Sequence, residues 1–248
     1  MNYRIIYPTV ALVLGAAGAA LHRWQQGADF DELGLPVPGA ATYALIGMVI
    51  AAAVLFAVLA LRKTRSGSWS EALGAQLLPT LWGGAALSAA AAVLLAMTLR
   101  GEGSEELAMF PLAAKGIPLL MVVGSTLAAV GQWLAASGGV RGGKNLVLPT
   151  LFGCIWTVQA YHDHGTDPAV GHFVWLLLAV IGSTLMWYEL TALAMGRGHA
   201  RRALFLSLST VVLTLVALTG ELTIPERLLL LSQLVGAVTA AWSFGAAE

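Results

Sequence analysis

Charge is scarce in this chain. Asp, Glu, Lys and Arg supply 10 % of its 248 residues, against about 25 % in ordinary soluble domains, which leaves too little polar surface to clothe a soluble globule. Cysteine occurs once, as Cys154, so neither an intrachain disulfide nor a cysteine-built metal centre is available. The formal net charge is zero, and no nucleic-acid partner is implied. The sequence also lacks a phosphate-binding glycine loop, a dinucleotide-type glycine run with a following acid, a nucleophile elbow and an HExxH pair. No lysine sits within an apolar span, where a retinal Schiff base would need one; Lys115 lies at a boundary between Pro111 and Pro118. Polar stretches long enough to hold a soluble domain are missing as well.

What is present is apolar. Hydrophobic residues make up 58 % of the chain and the mean hydropathy is +0.80. A membrane-crossing helix needs about 20 mostly apolar residues. Such segments occur at 5–22, 40–61, 76–98, 116–136, 146–163, 171–195, 203–220 and 226–244. The pattern predicts an all-α, polytopic membrane helix bundle of about eight transmembrane helices, with residues 1–248 as a single transmembrane domain. The first segment has the form of a signal peptide, Arg4 preceding an apolar run and Ala17-Gly18-Ala19; it is expected to be a retained helix.

The few charges are sorted by side. With eight crossings, Arg4, Arg62, Lys63, Arg65, Arg141, Lys144, Arg197, Arg201 and Arg202 share the side of the N-terminus, nine of the thirteen basic residues. Ten of the thirteen acids fall on the opposite side, among them Asp29, Glu102, Asp163 and Glu226. Because positive residues gather in cytoplasmic loops, the expectation is a bacterial plasma-membrane protein with both termini cytoplasmic and an acidic exterior.

Local patterns recur. LLPTLWGG at 77–84 and VLPTLFGC at 147–154 resemble one another, Pro-Thr also occurs at 8–9, and VGSTLA at 123–128 echoes IGSTLM at 181–186. A helical hairpin repeated three or four times accounts for this, with proline in the first helical turn as a shared start device. Chance recurrence of cheap patterns in a chain with 28 glycines accounts for it too.

Residues 156–172, WTVQAYHDHGTDPAVGH, concentrate three of the five histidines. Gln159 is three and four residues from His162 and Asp163, so these share a helical surface, and Phe152 and Trp156 continue it inward. His172 and Trp175 begin the next helix, and His22 and Trp24 end the first on the same side. Gln159, His162, Asp163, His172 and Trp175 are therefore the candidate ligand-binding mouth, suited to a small cationic or amine-bearing solute. The competing interpretation is an interfacial aromatic belt with solvated aspartates. His162 and His164 point to nearly opposite sides of a helix, so no metal site is expected. No residue is assigned a catalytic role, and no cofactor is identified.

Glu189 is an acid in an apolar span, GSTLMWYELTALAMG, a costly placement that marks a candidate gate or proton site. It could instead reach the interface beside Arg197, or accept a hydrogen bond from Tyr188 or Thr191. It lies 17 residues from His172, about 26 Å along one helix, so the two belong to separate sites. Gln132, Gln159 and Gln233 are intramembrane amides, expected to form interhelical hydrogen bonds.

The loop FDELGLPVPG at 30–39, the LPT that opens the fifth helix and the loop GRGHARR at 196–202 resemble a family of eight-helix membrane proteins from gut Clostridia and related Firmicutes. No activity or site residue is assigned to that family, so the resemblance implies fold alone. Three functions compete. The first is solute binding or transport through the outward mouth, and the second is a non-catalytic scaffold or partner-binding subunit in the bilayer. An intramembrane lipid-modifying enzyme is weaker, because Glu189 is far from the histidines.

Overall fold

The computed structural model describes residues 3–30, 37, 39–62, 78–101, 111–164 and 170–244. Among them are eight long helices: α1 (Tyr3–Ala28), α2 (Ala40–Arg62), α3 (Leu78–Gly101), α4 (Pro111–Ser137), α5 (Val147–His164), α6 (Val170–Ala194), α7 (Ala200–Ala217) and α8 (Ile224–Phe244). A single helical turn, Gly139–Gly142, and a 3-10 turn, Gly143–Leu146, join α4 to α5. Seven of the eight are long and apolar enough to cross a membrane, which makes the chain a multi-pass membrane protein. The exception is α5, whose 18 residues end in Gln159, His162, Asp163 and His164.

Local chemistry sets several helix ends. Before α8, Thr223 donates its backbone N–H and its hydroxyl to Glu226 Oε2, at 2.8 and 2.7 Å, so the first-turn carboxylate reaches back over the helix start as in one half of a capping box. At the other end of the α7–α8 hairpin's partner, α6 stops at Gly196, whose φ of +75° is the left-handed geometry that glycine adopts without steric cost. There the Arg197 N–H reaches the Ala192 carbonyl at 2.8 Å and the Gly196 N–H reaches Leu193 at 3.0 Å, so the last carbonyls are satisfied in a Schellman turn. Pro79 and Pro149 lie in first turns, but Pro8 does not: it sits inside α1, which is already helical from Tyr3.

Core membership establishes the up-and-down course. One apolar cluster joins Tyr7 at the start of α1, Phe56 late in α2, Leu81 early in α3, Ala136 late in α4, Leu190 late in α6, Leu204 early in α7 and Phe244 at the end of α8. The other joins Leu45 early in α2, Ala91 in α3, Met121 in α4, Trp156 in α5, Trp175 early in α6, Val216 late in α7 and Leu229 early in α8. Successive helices thus run antiparallel, and the start of α1 and the end of α8 share one end of the bundle, here called the terminal end. The opposite end is the distal end.

The last hairpin is the hub. Helix α7 packs on α1, α2, α6 and α8, while α8 also meets α1 and α3; α3, α4, α5 and α6 follow one another as neighbours around it. Helix α2 is peripheral, touching α1 and α7. Its exposed Tyr43, Ile50, Val54 and Leu61 form the apolar surface that lipid solvates.

Candidate functional site

At the distal end, α1 continues six residues beyond the span expected from hydropathy. Arg, Gln and Ala are good helix formers even where hydropathy falls, and the extension ends at Ala28. His22, Gln25 and Asp29 follow at spacings of three and four, which place them on one face. All three are buried, Asp29 to 6 % exposure.

Asp29 terminates α1 and starts α2. Its Oδ2 accepts the Thr42 N–H at 2.6 Å, one of the first-turn donors that have no partner within their own helix, and its charge faces the positive end of the α2 dipole. Glycine at 39 permits this approach, because a Cβ there would lie 2.1 Å from Asp29 Oδ1. Gln25 joins the same point, its Nε2 donating to Thr42 Oγ1 at 3.0 Å. The Gln25 Oε1 is buried and has no hydrogen-bond partner.

His22 ties α1 to α7. Its Nδ1 lies 2.8 Å from Thr219 Oγ1 and 3.2 Å from the Val216 carbonyl oxygen. The Thr219 hydroxyl donates to that same carbonyl at 2.7 Å, leaving its lone pairs to accept. Both neighbours of Nδ1 are therefore acceptors, which assigns the imidazole proton to Nδ1. The ring meets Trp175 edge-on, with centroids 6.2 Å apart.

Three of the five residues expected to form the mouth have described side chains. Trp175 is buried against His22, in the core. Gln159 is half-buried and His162 is exposed. Asp163 and His172 lie within α5 and α6, but their side chains are outside the described residues. Phe152 and Trp156 are buried and stacked, 5.8 Å apart at 22°, so α5 presents an aromatic wall to the interior. The buried polar face of α1 is the feature that hydropathy concealed. Its signal was the spacing His22, Gln25, Asp29 followed by Thr42 at the start of α2.

Glu189 occupies the terminal end, next in sequence to Leu190 of the cluster found there, and lies 14 residues from Trp175 on the same helix, about 21 Å along it. It is 6 % exposed. Its Oε1 accepts the His199 N–H at 2.7 Å and lies 3.8 Å from His199 Nδ1. His199 immediately precedes α7, so the carboxylate also faces the positive start of that helix. The expected alternatives are not the ones used: Tyr188 and Arg197 are exposed, and Thr191 donates to the Trp187 carbonyl.

The interior amides divide. Gln233 accepts the Trp187 indole N–H, and Gly236 leaves room for that ring, since a Cβ there would lie 2.5 Å from it. Gln132 does not form the expected interhelical bond. It is 1 % exposed and neither amide atom has a partner. The reason is its neighbour: the amide oxygen lies against Gly84, 2.8 Å from where a Cβ would stand, and the nearby Ser232 hydroxyl donates to the Gly84 carbonyl instead. An unmet buried amide costs about 1–3 kcal/mol.

Among the described residues, no group of three or more His, Cys, Asp or Glu is placed to hold a metal ion. Cys154 is exposed on α5. No protein-family model, curated protein or solved structure matches the chain.

Proposed function

We propose that this protein binds, and carries across the bacterial plasma membrane, a small amine-bearing cation, received at the distal end beside His22, Gln25, Asp29 and Trp175. The carrying observation is the Asp29 carboxylate. It is buried, it accepts one backbone N–H, and among the described residues no cation lies within ion-pair distance of it. Burying a carboxylate costs several kcal/mol, whereas a capping bond and a helix dipole each return about 1 kcal/mol. An ammonium group supplies the missing positive charge. Its remaining N–H donors match the buried Gln25 Oε1, one helical turn away. The charge distribution supports cytoplasmic termini and a distal end that faces outward.

One observation favours a scaffold without a ligand. Asp29 and Glu189, the two acids buried among the described residues, both hold backbone N–H groups at helix starts, and holding the bundle together is all that such bonds require.

Thermal unfolding in nanodiscs separates the two. Methylammonium, ethanolamine and putrescine are compared with the uncharged methanol and ethylene glycol, on wild type and on Asp29→Asn. Asparagine caps a helix as well as aspartate does, so this variant keeps the fold and loses the charge. Stabilisation by the amines in wild type, absent in Asp29→Asn, is expected. Flat melting curves with every amine would leave the scaffold.

A further inference from the structure

The unmet amide of Gln132 lies in the other half of the bundle, and nothing in the cation site explains it. Gln132 is five residues from the end of α4, about 8 Å inside the terminal end. Its primary amide offers two N–H donors and a carbonyl acceptor, none of which is used. The polar groups beside it are already committed to one another. The Ser232 hydroxyl donates to the Gly84 carbonyl at 2.9 Å, and Ser88 Oγ lies 2.6 Å from Ser232 Oγ. Because the Ser232 proton goes to Gly84, Ser88 is the donor in that pair. The result is a closed hydroxyl chain between α3 and α8, with an open amide from α4 beside it.

We infer that Gln132 is the recognition residue of an interior site between α3, α4 and α8 that takes a compact uncharged molecule carrying both a donor and an acceptor. The amide fixes this class. A ligand with donors only would leave the Gln132 N–H groups unmet, and a ligand with acceptors only would leave its carbonyl unmet. A charged ligand would enter an apolar interior with only neutral dipoles to receive it. Water and a small amide such as acetamide share the required chemistry. Gly84 belongs to the site because any side chain there would push the amide aside.

Water-edited solid-state NMR on isotope-labelled protein in liposomes tests this directly. Ala128, one turn away on α4 and fully buried, is the internal control. Magnetisation is expected to pass from water to the Gln132 side-chain amide much faster than to Ala128, which identifies water as the occupant. Transfer from labelled acetamide in place of water identifies a solute. Transfer from neither, with Gln132 as slow as Ala128, overturns the site. Gln132→Met keeps the length and removes the hydrogen-bonding groups. Its melting temperature is expected to fall by a few degrees as the occupant is lost, whereas a rise, the result of deleting an amide that has no partner, overturns the inference. Asp29→Asn is expected to leave the Gln132 signal unchanged, so the two sites stand or fall separately.

Discussion

Asp29 and Thr42 belong to different helices, yet the carboxylate of the first accepts the backbone N–H of the second at 2.6 Å. The cap for α2 is thus supplied by the residue that ends the helix before it. Such a cap ties the start of α2 to the end of α1 as well as satisfying a donor, and among the described residues the close packing of α2 is on α1 and α7.

Replacing Asp29 by alanine removes the cap and should destabilise the protein by about 1–2 kcal/mol. Asparagine should restore most of that loss. Unfolding in a detergent and denaturant mixture measures both. Equal losses in the two variants would show that the charge of Asp29, rather than its capping oxygen, holds the helix start.

Glu189 makes a comparable bond at the opposite end, to the His199 N–H at 2.7 Å. Glutamine retains an acceptor oxygen and alanine does not. Glu189→Gln should therefore stay within about 1 kcal/mol of wild type, while Glu189→Ala loses about 1.5–3 kcal/mol. Hydrogen exchange reads the same difference locally, with residues 195–200 losing protection in the alanine variant. If glutamine opened that loop as much as alanine does, the anchor would be electrostatic. A proton-relay role for Glu189 would be read separately, as transport lost in a glutamine variant that stays folded.

The eight-helix course was legible because it rests on two strong and independent signals, long apolar runs and the side-to-side sorting of charge. Buried polar faces were less legible. Hydropathy falls at His22-Arg23-Trp24-Gln25-Gln26, so the first span was expected to end at 22; the helix continues to Ala28 and carries Gln25 and Asp29 onto the face that His22 begins. Conversely, His162 falls on the expected stripe, but the α5 surface that turns inward is that of Phe152, Trp156 and Ala160, which leaves His162 exposed. Helical spacing tells which residues share a face; which face a neighbour covers depends on tertiary packing. The expected separation of Glu189 from the distal residues holds because it depends only on helix rise. Gln233 and Gln132 looked alike in sequence, and what separates them is the neighbour each meets, an indole N–H for one and a glycine for the other.

Trp187 and Gln233 form a pair buried in the terminal half of the bundle. Trp187→Phe keeps most of the ring but strands the Gln233 carbonyl, and should cost about 1–3 kcal/mol. Adding Gln233→Leu removes the stranded group and should recover part of the loss. A double variant as unstable as the sum of the two singles would show that ring volume, rather than the hydrogen bond, carries the effect.

Thr210 and Thr214 lie one turn apart on the central helix α7, both fully buried, and neither hydroxyl has a hydrogen-bond partner. Their neighbour Ser207 behaves differently, donating to the Ala203 carbonyl four residues back at 2.6 Å. The Thr210 hydroxyl instead faces α6, 3.4 Å from where a Cβ on Gly182 would stand. Valine has nearly the same shape as threonine, so Thr→Val at such a site removes an unmet polar group without opening a cavity. The variants Thr210→Val and Thr214→Val should each be neutral or more stable than wild type by up to about 1 kcal/mol, because an unsatisfied buried hydroxyl is costlier than the methyl group that replaces it. A loss of stability in both would mean that these hydroxyls are hydrogen-bonded in the membrane, and that the centre of α7 is polar in use as well as in composition.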